Sequence, residues 1–164
     1  HMLKRLGTTI NIIMHDGEAE QIKSLMEKYD QQRSFNIIYL NENLSHIYEV
    51  AAALRRGELV CIHADRFRPG NRTMLHQFLG EEAHFPAGPF LLASKLRAPV
   101  CFVFAFKEST FHYNFIAWKA KTYEGRGTAG AERMLDDYVS LLESQIRLYP
   151  GQWFNFYDFW KARP

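Results

Sequence analysis

Cysteine is almost missing from this chain of 164 residues: Cys61 and Cys101 are the only two, and both sit inside apolar runs. Their wide spacing builds neither a disulfide framework nor a metal-ligand set, and it predicts two buried free thiols in a reducing compartment. Long hydrophobic runs are missing too. The longest uncharged apolar stretch, residues 98–106, is less than half of the ~20 residues that a bilayer span requires. No secretory signal opens the chain; His1-Met2 reads as a cloning scar ahead of a single domain over residues 3–164. Excess charge of one sign is also lacking, with 20 Lys and Arg against 18 Asp and Glu, a net charge of +2 and a pI near 8.6. That balance gives no argument for a nucleic-acid partner. There is no internal repeat and no low-complexity segment.

What is present suits a folded domain. The 47% hydrophobic and 23% charged residues exclude a disordered chain. A chain of this length buries about 70% of its unfolded surface without a staple. Short β-branched and aromatic runs at residues 9–14, 35–40, 59–63, 100–106 and 112–118 predict strands, and the first four are apolar enough to be covered on both faces. Helical spacing links Ile22, Leu25, Met26 and Tyr29, and again Ile47, Val50, Ala51 and Leu54, the second with Asn43 as N-cap and Gly57 as its stop. A short helix is expected over residues 86–96 and a long one over about 131–149, ended by Pro150. The reading is α/β: a mostly parallel sheet flanked by helices, then a C-terminal hairpin, a long helix and an aromatic tail. Residues 66–80 read as the one long irregular stretch.

That stretch follows a strand end, where open α/β sheets bind ligands. His63-Ala64-Asp65-Arg66-Phe67-Arg68-Pro69-Gly70-Asn71-Arg72 places one carboxylate among three arginines. A guanidinium fork suits phosphate, and a carboxylate can orient the arginines; the plain alternative is a solvated loop with a local ion pair. His63 is a candidate acid or base, though a lone strand histidine is more often structural. His46 and His76 show no convergent partners, and no metal site is supported. His-x-x-x-x-Glu occurs at His15–Glu20 and His76–Glu81, and about one such match is expected by chance. In the tail, seven of the twelve residues 149–160 are aromatic, followed by Lys161 and Arg163. Packing back over the sheet is the plainer expectation, with contact to a membrane interface for part of the tail as the other.

From Ile10 onward the chain resembles the C-terminal half of the late acyltransferases of lipid A biosynthesis. The resemblance rests on five collinear elements: INIIM, AALRRGELVCIHAD, QFLG, GPFLLASKLRAPV and DYVSLLESQIRLYPGQWFNFYDFW. It implies transfer of a fatty acyl group from acyl carrier protein, or from a coenzyme A thioester, to a hydroxyl of a phosphorylated glycolipid, with no other cofactor. It also implies a place at the cytoplasmic face of the bacterial inner membrane. The family's general base is a histidine with four residues between it and an acidic residue, and that motif lies upstream of the strand matching residues 10–14. The chain is therefore expected to be an inactive, soluble piece holding the acceptor side. Asp65 matches the family's aspartate after the Leu-x-x-Gly helix, Arg33 lies close to a family arginine, and Arg66, Arg68 and Arg72 fall in the loop lining the acceptor. The ending FYDFW departs from the family's more usual arginine-rich close. Two other readings stand beside this one: a binding module for an anionic lipid or nucleotide, and a small complete enzyme using His63 and Asp65.

Overall fold

The run INIIM forms β1 (Ile10–Met14), which lies at the centre of a parallel sheet between β2 (Phe35–Tyr39) and β3 (Leu59–Cys61). The computed structural model describes residues 7–15, 35–40, 44–67, 70–155 and 159–160. They belong to two compact units, residues 1–63 and 64–164. The expected helix around Ile22–Tyr29, the capping Asn43, Glu20, Arg33, Arg68, and Phe156, Tyr157, Lys161 and Arg163 of the tail lie outside the described residues.

Among the described residues of the first unit, the central strand is the one buried on both sides, through Ile10, Ile13 and Met14, whereas β2 and β3, also expected to be covered twice, are only partly covered. Asn11 is buried among them and satisfied. Its Nδ2 donates to Glu58 Oε2 at 3.0 Å and to the Leu59 carbonyl at 3.1 Å, and its Oδ1 accepts from Asn36 Nδ2 at 3.3 Å. One polar side chain thus ties the centre of the sheet to both neighbours, a register device in an otherwise apolar strand. The Arg56 bond, and then Asn11, hold the Glu58 carboxyl below the ordinary glutamate range. The helix α1 (Ser45–Arg55) turns Val50 and Ala53 inward. It stops as expected at Gly57, whose φ of +75° lets its N–H reach the Leu54 carbonyl while Glu58 N–H reaches that of Ala53.

The second unit contains a hairpin whose first strand and turn fall inside residues 66–80, the stretch expected to be irregular. β4 (Thr73–Phe78) and β5 (Glu81–Pro86) pair antiparallel through Leu79-Gly80, both with positive φ. Such a pair suits a two-residue hairpin turn, but leucine in the first place gives none of the usual signal. Next come α2 (Ala87–Lys95), starting after Pro86 as expected, and a second antiparallel pair, β6 (Val103–Lys107) and β7 (Tyr113–Ala117). The long helix α3 (Ala129–Leu148) gives way to a 3-10 turn at Pro150–Gln152. Gly130 lets the start of α3 approach α2: a Cβ there would lie 2.3 Å from Ser94 Oγ and 2.7 Å from the Tyr123 carbonyl oxygen.

The core of this unit joins Met134, Leu135, Tyr138, Val139 and Leu142 of α3 to Phe78, Ala83, Phe85 and Phe90. The tail packs into it. Phe78 has ring centroids of Phe85, Trp153 and Phe159 each 5.4 Å away, Trp160 stacks on it at 6.0 Å, and Trp160 Nε1 donates to its carbonyl at 3.3 Å. Phe154 points out, 60% exposed.

Two expectations are corrected. Cys61 and Cys101 are free but exposed, because Cys61 ends the edge strand β3 on its outward side and Cys101 lies in the segment before β6, where exposure alternates residue by residue. Local desolvation still raises the Cys61 thiol above its ordinary pKa, which keeps it protonated and a poor nucleophile. The apolar run at residues 100–106 likewise has one covered side: Phe104 and Phe106 face the core, while Val103 and Ala105 face out.

Candidate functional site

The segment after β3 begins the second unit and leads into β4, and it carries the residues singled out for acceptor binding. Asp65 is half-buried, whereas Arg66 and Arg72 are exposed. Arg66 Nη2 donates to the Phe154 carbonyl at 3.2 Å, pinning the segment to the C-terminal region. One N–H spent there leaves four of the five donors of a guanidinium for other use. The Arg72 carbonyl accepts from Ala87 N at 3.0 Å and so closes the base of the β4–β5 hairpin. Arg33 and Arg68 are outside the described residues.

The structure adds His84, which no sequence spacing singled out. It is half-buried on β5, shares a 2.8 Å hydrogen bond between its Nδ1 and Thr73 Oγ1, and meets the ring of Phe67 at 6.4 Å. Once residues 73–86 are seen as a hairpin, cross-strand geometry explains why His84 on β5 reaches Thr73 on β4; an irregular loop offered no such geometry.

Other histidines are placed differently. His63 is exposed and follows the end of β3, which stops at Cys61. His76 does not pair with Glu81 five residues on. Its Nε2 lies 3.0 Å from Asp136 Oδ1 of α3, and its Nδ1 donates to the Gln77 carbonyl at 2.7 Å. Both ring nitrogens are occupied, so this pair fastens β4 to α3 and leaves no nitrogen to take a proton from a substrate. Among the described residues, no three His, Cys, Asp or Glu side chains come together to hold a metal ion, and no helix is long and apolar enough to cross a membrane.

These features define a mixed α/β protein with a parallel sheet whose charged candidate residues follow the last parallel strand in the chain. The family model for bacterial lipid A biosynthesis acyltransferases matches residues 1–162, and the chain belongs to that family. No curated protein matches it.

Proposed function

We propose that these residues form the acceptor side of an enzyme that moves a fatty acyl group from an acyl thioester to a hydroxyl of a phosphorylated glycolipid. The donor is acyl carrier protein or coenzyme A, and the site of action is the cytoplasmic face of the bacterial inner membrane. The acceptor oxygen attacks the thioester carbonyl, the carbon–sulfur bond breaks, and the thiol leaves with the proton taken from the hydroxyl. The observation that carries this reading is the family match over residues 1–162. In it, Asp65 orients the guanidinium groups of its own segment, and Arg66 and Arg72 offer paired donors to the acceptor's phosphate.

The general base is assigned to the family's His-x-x-x-x-acidic motif ahead of the β1 sequence. His76, whose Nε2 lies 3.0 Å from the Asp136 carboxylate, is committed to Asp136 and the Gln77 carbonyl. The 164 residues by themselves therefore give no acyl transfer. In an enzyme that includes them and turns over, Asp65→Ala lowers the rate roughly tenfold or more, with little change in melting temperature. Turnover by the 164 residues alone, or an Asp65→Ala enzyme that keeps its rate and melts several degrees earlier, contradicts the assignment.

A further inference from the structure

We propose that the outer side of the β6–β7 hairpin, with Phe111 at its tip, docks onto an anionic lipid bilayer. This rests on the acyltransferase reading, in which the acceptor is held in a membrane, and it assigns the contact to a surface that the tail does not form.

Strand alternation divides this hairpin cleanly. Phe104, Phe106 and Ile116 turn toward the protein, where Phe104 stacks parallel to Tyr138 and Phe106 lies 4.1 Å from the Tyr149 ring. The opposite side carries Val103 paired with Ala117, Ala105 with Phe115, and Lys107 with Tyr113. Val103 is 56% exposed, Phe115 52%, Tyr113 57% and Phe111 90%. An almost fully exposed phenylalanine at the tip of an apolar sheet face gains nothing in water.

The hairpin is held firmly enough to present that face. At its root, Val100 and Lys121 exchange backbone hydrogen bonds of 2.9 and 3.0 Å. Near its tip, the Gln152 side chain bonds both the N–H and the carbonyl of Lys107, at 2.7 and 3.0 Å. The surroundings supply the sign of the partner. Lys107 shares the face and exposed Lys119 follows it two residues after Ala117; Glu108 is the hairpin's one carboxylate. Apolar and amphipathic rings beside lysines suit a bilayer with anionic headgroups. A two-fold contact with a second copy would instead bring Lys107 and Lys119 of both copies into one interface.

The test is co-sedimentation of the 164-residue chain with phosphatidylcholine vesicles, with and without phosphatidylglycerol. The chain is expected to pellet with the anionic vesicles. Phe111→Ser combined with Phe115→Ser lowers the affinity roughly tenfold or more, and Lys107→Glu lowers it several-fold on anionic vesicles only. Because these positions are exposed, circular-dichroism melts of the variants overlay that of the parent. Three results overturn the proposal: undiminished binding by the double variant, no binding to either vesicle, or a lipid-free dimer that the same pair of substitutions dissolves. Failure of the acyltransferase reading is seen separately, as no transfer to a detergent-dispersed acceptor by a complete enzyme, an assay that needs no bilayer.

Discussion

The β4–β5 hairpin lies under the C-terminal aromatics, with Phe78, Ala83 and Phe85 all fully buried, whereas the β6–β7 hairpin leaves one side in solvent. From composition the opposite would be expected. TMLHQF and EEAHFP are mixed sequences, while the stretch VCFVFAF is the most apolar in the chain. What decides burial is which side meets a partner, not the content of the strand. Trp153, Phe159 and Trp160 gather around Phe78, and Tyr149 and Gln152 meet the second hairpin at Phe106 and the Lys107 backbone, which leaves its outer side bare.

The largest test of this comparison is Phe78→Ala. It empties the middle of a cluster of four rings and costs about 3–5 kcal/mol by urea denaturation. The matching change on the bare hairpin, Phe115→Ser, costs no more than about 0.5 kcal/mol. Comparable losses at the two positions would mean that the outer face of β6–β7 is covered after all.

A smaller effect is expected at the root of the second hairpin. Asp137 Oδ2 accepts from Lys121 Nζ and from the Tyr123 hydroxyl, both at 2.7 Å. The lysine bond, followed by the tyrosine bond, holds the Asp137 carboxyl below its usual range. Its contribution is complete above the unfolded value of about 3.9 and is lost as the pH falls through the lowered folded value. Burial, and then the bond to Asp137, push the Tyr123 hydroxyl well above an ordinary tyrosine. That contribution is present below about pH 10 and is lost as the pH rises further toward the raised folded value. Because the Asp137 side chain is 42% exposed, Asp137→Asn costs less than about 1 kcal/mol at neutral pH. Melts at a series of pH values should show a shallower acid limb in the variant; an unchanged limb would mean the ion pair is only a surface contact.

Much of this was legible from residue order. The three parallel strands, α1 with its Gly57 stop, α2 after Pro86, α3 ending before Pro150, and the β6–β7 pairing all follow from periodicity and turn residues. The β4–β5 hairpin was not, because Leu79 occupies a positive-φ turn position where glycine or asparagine would have announced it; its amide is instead held by the Glu143 carboxylate. The tail was ambiguous for a different reason. Aromatic density reads alike for packing and for an interface until the partner, Phe78, is seen. For the site, spacing and the family resemblance drew attention to Asp65, Arg66 and Arg72, but His84 needed the hairpin's cross-strand geometry. Helical and strand periodicity report on one face at a time, and contacts between distant segments lie beyond them.

The most direct measurement uses fluorescence in anionic vesicles whose acyl chains carry bromine, a contact quencher. The chain's three tryptophans are Trp118, half-buried against Phe104, and Trp153 and Trp160 in the cluster around Phe78. The parent chain should therefore lose little emission on binding. Phe111→Trp, which adds an indole at the hairpin tip, should lose a substantial part of its added emission. Strong quenching of the parent would place the tail in the lipid, and equal, weak quenching of both would remove the hairpin from it; either result contradicts the account.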